Sequence, residues 1–210
     1  MFGGTFDPVH IGHLRTCVEL REYLKVQQMH IVPCARPPHR EQPIVSAEHR
    51  LAMLRLAIDA ETGLFADDRE LRRPGLSYTV ETLQGLRREI GQDVPLYLCV
   101  GMDSLVNLDS WHRWRDIVEL AHLVVVARPG WHLPTSGSVA DWVQDKLVSD
   151  ATCLGAAPCG RILIRAMTLL PVSSSMLRAS LSQRRSVRYL VPDKVLNYIH
   201  QHQLYRQGSP

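Results

Sequence analysis

The chain has 210 residues, a length within reach of one large domain with a sizeable hydrophobic core. Hydrophobic residues make up 45% of it and charged residues 21%, as in ordinary folded proteins. The net charge of +3 and the scattered basic residues argue against a nucleic-acid-binding stripe. No apolar run approaches the ~20 residues of a membrane-spanning helix, and no signal peptide is recognised. Five cysteines without a C-x-x-C pair argue against a disulfide framework, so we expect reduced thiols and a cytoplasmic location.

Short apolar runs alternate with longer amphipathic segments along the chain. In chain order, the spacing predicts a helix at 10–24, a strand at 29–34, helices at 46–59 and 79–91, a strand at 95–101, a helix at 114–121, a strand at 122–130, a helix at 138–150, a strand at 161–170, and helices at 173–183 and 192–202. Ser46 and Thr79 are the predicted caps of the second and third helices, and Gly91 is predicted to end the third. This alternation predicts an α/β fold with a doubly wound parallel sheet. We expect one domain over residues 1–210, whose C-terminal part, at about 171–206, is helical.

The segment GGTFDPVHIGH, at residues 3–13, is the most specific local pattern. Gly3 and Gly4 let the backbone approach a ligand closely, and Asp7-Pro8 predicts a tight turn. The loop matches neither a Walker A sequence nor the G-x-G-x-x-G dinucleotide loop. It is nevertheless a glycine-rich loop followed by a helix, an arrangement that binds anions at the helix N-terminus.

Two histidines stand three residues apart at the start of the predicted helix. His10 and His13 therefore lie on one face, where both imidazoles are expected to donate to the same phosphate, with Gly12 leaving space for a ribose or phosphate. We expect Leu14 and Val18, together with Arg21 and Leu24, to lie along one side of this helix. Taken alone, an H-x-x-H pair favours two surface histidines on a capped helix, or a metal-binding pair. A zinc site is disfavoured because no glutamate follows the first histidine and no third ligand has suitable spacing.

The complete string closely resembles the signature of the nucleotidylyltransferases with a T/H-x-G-H motif, which are relatives of the class I aminoacyl-tRNA synthetases. Within that superfamily the chain is similar to the bacterial nicotinate-nucleotide adenylyltransferases. The resemblance extends over nearly the whole chain through ordered blocks: GGTFDPVHIGH (3–13), PPHR (37–40), SYT (77–79), GMDSL (101–105), Trp111, ARPG (127–130) and VSSSMLR (172–178). It implies a Rossmann-like doubly wound sheet and transfer of the adenylyl group of ATP to nicotinate mononucleotide in NAD biosynthesis, which releases pyrophosphate.

The resemblance also implies roles for individual residues. Catalytic roles fall on His10, His13 and Arg178, of which the two histidines would hold the α- and β-phosphates and the arginine the leaving pyrophosphate. The implied ATP-binding residues are Gly3, Gly4, Thr5, Phe6, Gly101, Asp103, Arg128, Ser173 and Ser175. The implied residues for nicotinate mononucleotide are Arg40, Thr79, Ser104 and Trp111. Mg²⁺ is implied as an ion carried by the ATP phosphates, and we name no metal ligands in the chain.

On local evidence each of these residues also has a structural interpretation. The serines at 173–175 could simply cap a helix, Thr79 could be an N-cap, and Asp103 could be a turn residue. Trp111 could be a partly buried aromatic, and Arg40 a solvated side chain in a proline-rich loop. The functional interpretation rests on the blocks occurring together.

The sequence departs from the family pattern at its start. In the family a short hydrophobic strand precedes the Gly-Gly loop, whereas here only Met1 and Phe2 precede Gly3. We therefore expect the first central strand to be truncated, which would leave backbone groups of its neighbours unpaired at a cost of ~1–3 kcal/mol each. We further expect the natural protein to begin upstream, and an in-frame stop codon directly before Met1 would contradict this.

Three other functions stay open at this stage. The acceptor could be nicotinamide mononucleotide, because recognition of amide against carboxylate depends largely on backbone donors. Phosphopantetheine is disfavoured, because enzymes that use it have a shorter chain without the SYT and tryptophan blocks. A non-catalytic nucleotide-binding relative is disfavoured by the presence of His10, His13 and Arg178.

Overall fold

The computed structural model describes residues 1–38, 42–127, 137–168 and 170–206. Within these ranges seven parallel strands have the order β3-β2-β1-β4-β5-β7-β6. Their bounds are β1 Phe2–Gly4, β2 Met29–Pro33, β3 Leu64–Ala66, β4 Tyr97–Gly101, β5 His122–Ala127, β6 Leu147–Val148 and β7 Ile162–Ala166. From β1, the chain adds β2 and then β3 on one side. It then returns to add the strands on the other side, which lie in the order β4, β5, β7 and β6. This confirms the predicted doubly wound α/β sheet.

The strands alternate with helices, as the sequence predicts. The α-helices are α1 Ile11–Leu24, α2 Ala47–Ile58, α3 Arg69–Arg72, α4 Thr79–Ile90, α5 Met102–Val106, α6 Ile117–Leu120, α7 Ser138–Gln144, α8 Ser174–Ser182 and α9 Asp193–Gln201. In the part of the chain that the structure describes, none of these helices has the length and apolar character needed to cross a bilayer.

The chain divides into two compact units. The first comprises Met1–Gly3 and Ser77–Met167. Its centre is β5, which is buried along its whole length, as expected for a strand of a parallel sheet with both faces covered. β5 pairs with β4 from Tyr97 opposite His122 to Gly101 opposite Val126. The continuous apolar runs at 95–101 and 122–130 thus predicted these two strands, although 128–130 lie outside the described residues.

The first strand is short but pairs with its neighbour. Phe2 lies opposite Cys99 of β4. The amino group of Met1 donates to the carbonyl of Tyr97 at 2.7 Å, and the carbonyl of Met1 accepts from the N–H of Cys99 at 2.9 Å. The unpaired groups expected beside a truncated strand therefore do not occur at these positions, because the backbone of Met1 supplies the partners.

The second unit comprises Gly4–Leu76 and Thr168–Pro210. The buried face of α2 carries Leu51, Leu54 and Ile58. In α1 the buried face is a different side of the helix from the one that carries Leu14 and Val18. The face that packs inward carries Thr16, Cys17 and Leu20, whereas Leu14, Val18, Arg21 and Leu24 are half-buried.

The Thr16 hydroxyl explains how a polar residue can occupy the inner face of α1. It donates to the carbonyl of Gly12 at 2.9 Å, so its burial leaves no hydroxyl unpaired. Hydrophobic spacing alone could not find this face, because one of its three buried residues is polar.

Three further elements differ from the predicted ones. The predicted helix at 138–150 ends at Gln144, and Leu147–Val148 instead pair with β7 as an edge strand. The predicted helix at 114–121 is a 3₁₀ turn at Trp114–Asp116 followed by α6. Thr79 is the first residue of α4 rather than its cap, which is Tyr78. Gly91 ends α4 as predicted, with a φ of 84°.

Candidate active site

The glycine-rich loop packs around a buried phenylalanine. A side chain at Gly4 would place its Cβ 2.9 Å from Cζ of Phe6, so only glycine fits beneath that ring. Phe6 is 1% exposed and its ring meets the ring of His13 edge to face, with the centroids 5.0 Å apart. The Phe6 side chain therefore supports His13, and only the backbone of Phe6 remains for contact with a ligand.

His10 and His13 form a stacked pair at the start of α1. His10 is the N-cap, and its backbone N–H donates to Nδ1 of His13 at 3.3 Å. The two rings lie with their centroids 3.6 Å apart and their planes inclined by 22°. An added Cβ at Gly12 would lie 3.0 Å from Nδ1 of His10. The space expected over Gly12 for a ribose or phosphate is thus taken by the His10 ring.

Both imidazoles are neutral at pH 7. Burial lowers the pKa of His10 from 6.5 to about 4. Burial and then the neighbouring His10 lower the pKa of His13 to about 3. Because Nδ1 of His13 accepts the backbone N–H of His10, the proton of neutral His13 is on Nε2. The pair can therefore offer N–H donors to a phosphate without first carrying positive charge.

These lowered pKa values predict an acid-sensitive stability in the protein without nucleotide. Between about pH 6.5 and pH 4 the unfolded histidines bind protons that the folded ones do not, so the free energy of unfolding falls as pH is lowered through this window. At pH 5 the expected loss is about 1–2 kcal/mol per histidine. Thermal melts at pH 7 and pH 5 measure it. The variant His10→Ala/His13→Ala should show a smaller fall than the wild type and than His49→Ala, and an equal fall in all three would contradict the assignment.

A second helix N-terminus reaches the turn that precedes His10. The Ser174 hydroxyl at the start of α8 donates to the carbonyl of Pro8 at 2.9 Å. Arg178 donates from Nη1 to the carbonyl of Asp7 at 2.8 Å and from Nη2 to the Ser175 hydroxyl at 3.4 Å. The Asp7–Pro8 turn is thus held between the N-termini of α1 and α8, both of which carry partial positive charge.

Ser173 has the position that the sequence predicts. It is the N-cap of α8, and its hydroxyl accepts from the N–H of Met176 at 3.2 Å. We use the term histidine–arginine cluster for His10, His13, Ser173, Ser175 and Arg178, which the second unit brings to this turn. The Arg178 side chain keeps 27% of its surface exposed and so remains open to a ligand.

Three buried residues, none of which the sequence interpretation assigned to the site, hold the loop in place. Asp7 is 3% exposed. Its Oδ1 accepts a hydrogen bond of 2.7 Å from the Tyr205 hydroxyl, and its Oδ2 accepts one of 2.8 Å from the N–H of Ile44. Arg50, 1% exposed, donates to the carbonyl of Thr5 at 2.7 Å and to that of Val45 at 3.3 Å. Burial lowers the pKa of Arg50, and the charge of Asp7 opposes this effect.

Two more predicted ATP contacts, Gly101 and Asp103, lie at the end of β4 in the first unit, together with Ser104, which is predicted for the mononucleotide. An added Cβ at Gly101 would lie 2.5 Å from Oδ1 of Asp103, so glycine there lets the exposed carboxylate fold back over the end of the strand. Asp103 and Ser104 belong to α5. All three residues therefore lie at the carboxyl end of a parallel strand, where open α/β sheets bind ligands.

Thr79 and Trp111 also belong to the first unit, and their segments meet there. The ring of Tyr78, which precedes Thr79, lies 4.5 Å from the ring of His112, which follows Trp111. Trp111 is half-buried and ends the 3₁₀ turn Leu108–Ser110. Arg40 and Arg128 lie outside the described residues.

Metal-ligating side chains do not cluster in the part of the chain that the structure describes. Residues 1–38, 42–127, 137–168 and 170–206 contain no group of three or more His, Cys, Asp or Glu side chains placed to hold a metal ion.

Comparison with known proteins gives consistent results. Residues 1–180 match the model of the cytidylyltransferase-like family. A probable nicotinate-nucleotide adenylyltransferase from Cellvibrio japonicus is 45% identical over 206 residues, which cover 98% of this chain and 97% of that one. A protein of the same description from Methylococcus capsulatus is 44% identical over 206 residues and covers 98% of each chain.

Solved structures share the fold at low sequence identity. The Plasmodium falciparum nicotinic acid mononucleotide adenylyltransferase complexed with NaAD has a TM-score of 0.74 and 16% identity, and the match covers 97% of this chain and 95% of that one. The same enzyme complexed with APC has a TM-score of 0.72 and 16% identity, over 97% of this chain and 94% of that one. From the family model and the relatives in sequence, the chain belongs to the cytidylyltransferase-like family and, within it, to the nicotinate-nucleotide adenylyltransferases.

Proposed function

We propose that this chain transfers the adenylyl group of ATP to nicotinate mononucleotide, giving nicotinate adenine dinucleotide and pyrophosphate in NAD biosynthesis. The observation that carries the proposal is the histidine–arginine cluster. Two helix N-termini, two neutral imidazoles and one partly exposed guanidinium meet at the Asp7–Pro8 turn. This arrangement suits the binding and neutralisation of a polyphosphate.

The reaction needs no nucleophile or base from the protein. An oxygen of the mononucleotide phosphate, already an anion, attacks the α-phosphorus of ATP, and the bond from that phosphorus to the oxygen bridging it to the β-phosphorus breaks. The pyrophosphate leaves with the electron pair of that bond. Catalysis then consists of in-line positioning and stabilisation of charge on the phosphates.

Each member of the cluster has a role in this proposal. The N–H of His13 Nε2 and the imidazole of His10 bind the α- and β-phosphates, which raises the pKa of both rings as the anions approach. Arg178 binds the leaving pyrophosphate, and Ser173 and Ser175 add hydroxyl and backbone donors at the start of α8. The backbone of residues 3–6 contacts the nucleotide, and Gly101 and Asp103 bind its ribose. Arg128 lies near the adenine or the phosphates.

Nicotinate mononucleotide is assigned to residues of other segments. Thr79 and the neighbouring backbone meet the nicotinate carboxylate, Trp111 stacks on the pyridine ring, and Ser104 lies beside it. Arg40 binds the phosphate of the mononucleotide. Mg²⁺ would be held by the phosphates of ATP and would neutralise part of their charge.

Replacing Arg40 with alanine is expected to raise the KM for nicotinate mononucleotide more than the KM for ATP. A guanidinium that binds only the acceptor's phosphate contributes to the affinity of that substrate alone. Steady-state kinetics with each substrate varied in turn measure both constants. An equal rise in the two KM values would contradict the assignment of Arg40 to the mononucleotide.

The proposed function is tested by pyrophosphate release from the purified chain. ATP and Mg²⁺ are supplied with nicotinate mononucleotide or, in parallel, with nicotinamide mononucleotide. The proposal predicts release with a strong preference for the nicotinate form. Preference for the nicotinamide form would change the acceptor, and no release with either from folded protein would contradict catalysis.

A further inference from the structure

The C-terminal segment reaches the Asp7–Pro8 turn through Tyr205. Tyr205 is 4% exposed, and its hydroxyl donates to Oδ1 of Asp7 at 2.7 Å, between residues 198 positions apart. Burial and the adjacent Asp7 carboxylate raise the pKa of Tyr205, so the hydroxyl keeps its proton and remains a donor. The backbone of Tyr205 has a φ of 63°, in the left-handed region that bulky residues rarely occupy. The surrounding fold therefore holds this residue in an unfavourable conformation.

The Asp7 carboxylate and Arg178 form an ion pair that is long compared with the hydrogen bonds around it. The Oδ2 of Asp7 is 3.9 Å from Nη1 of Arg178, whereas that nitrogen donates at 2.8 Å to the carbonyl of Asp7. Tyr205 binds one carboxylate oxygen, and the N–H of Ile44 binds the other. A carboxylate released from Tyr205 could turn towards the guanidinium and compete with a phosphate for it.

We propose that Tyr205 is a positioning residue that holds the Asp7 carboxylate away from Arg178 and so keeps the guanidinium available for the pyrophosphate part of ATP. The inference rests on the proposed function, in which Arg178 binds that group. The inference explains why the buried carboxylate of Asp7 can lie beside Arg178, although its negative charge would otherwise oppose phosphate binding there. It also gives a role to a residue that lies outside every signature block.

The variant Tyr205→Phe tests the inference. It is expected to raise the KM for ATP about tenfold, the loss that corresponds to one hydrogen bond to a charged group, with a smaller change in the KM for the mononucleotide. The matched control is Tyr198→Phe, which removes a hydroxyl that bonds Nδ1 of His49 at 2.9 Å in the same unit. The control should lose stability in the same way but keep its KM for ATP.

A second variant separates competition for Arg178 from a merely structural role. In Tyr205→Phe/Asp7→Asn the side chain at position 7 can no longer form an ion pair with Arg178, so the KM for ATP should return to within about threefold of the wild type. A structural role predicts a double variant no better than Tyr205→Phe. All comparisons are made at a temperature where thermal melts show every variant folded.

Binding of inorganic pyrophosphate gives a measurement that does not depend on turnover. Calorimetric titration should show about tenfold weaker binding in Tyr205→Phe and recovery in the double variant. If the wild type binds pyrophosphate with this pattern but releases none from ATP, the inference holds and the proposed function fails. Unchanged pyrophosphate binding in Tyr205→Phe, an equal loss in Tyr198→Phe, or no recovery in the double variant would overturn the inference.

Discussion

Replacing His13 with alanine is expected to lower kcat by about 10²–10³-fold while the protein stays folded. In the proposed reaction the Nε2–H of His13 donates to a phosphate whose charge grows in the transition state. Losing one preorganised donor of that kind costs about 2.7–4 kcal/mol of transition-state stabilisation. The ring contributes to packing against Phe6 as well, so thermal melts accompany the kinetics.

Two comparisons make this prediction specific. His13→Gln keeps an N–H donor on a side chain of similar reach and should lose less activity than His13→Ala. His49→Ala removes an imidazole of the same unit that forms a hydrogen bond with the Tyr198 hydroxyl and belongs to α2 rather than to the glycine-rich loop. The kcat of this variant should match the wild type. Near-normal turnover of His13→Ala would remove this residue from the catalytic role.

Replacing Arg178 with alanine is expected to lower kcat/KM for ATP by about 10²–10³-fold. The guanidinium is held by the carbonyl of Asp7 and the Ser175 hydroxyl, so it is already oriented before a phosphate arrives. A charge placed in advance stabilises the leaving pyrophosphate without reorganisation at the moment of reaction. We expect the KM for the mononucleotide to change little.

The control for Arg178 is an arginine just beyond the same helix. Arg184 is exposed and follows α8, so Arg184→Ala removes the same net charge without touching the cluster. Its kcat/KM should match the wild type within about twofold, as expected for an exposed charge. An equal loss in both variants would mean that the effect of Arg178 is general electrostatics, and a loss confined to the mononucleotide would contradict its assignment to pyrophosphate.

Features set by neighbouring residues could be predicted from the sequence. The glycine-rich loop followed by two histidines indicates a helix start, and α1 begins directly after His10. Ser173 is the cap of α8, and Gly91 ends α4 with a positive φ, because caps and glycine stops depend on a few residues in a row. The alternation of strands and helices likewise predicted the parallel sheet.

Features set by distant residues could not be predicted. Asp7 belongs to the signature segment, but its partners Arg178 and Tyr205 are 171 and 198 residues away, and no local pattern indicates such pairs. The edge strand β6 has two residues and exists only because β7 offers it partners. The small size of Gly12 predicts room there for a ligand, but the ring of His10 fills that room. The spacing of residues in the sequence does not show where the His10 ring lies.

The most direct test of the proposed site is a crystal structure of the full chain with nicotinate mononucleotide and the α,β-methylene analogue of ATP, in which the bond to be broken is resistant to cleavage. We predict that the α- or β-phosphate lies within hydrogen-bond distance of Nε2 of His13. We also predict that the terminal phosphates contact Arg178 and the N-terminus of α8, and that the mononucleotide phosphate faces the α-phosphorus. A triphosphate bound away from His10, His13 and Arg178 would contradict the account.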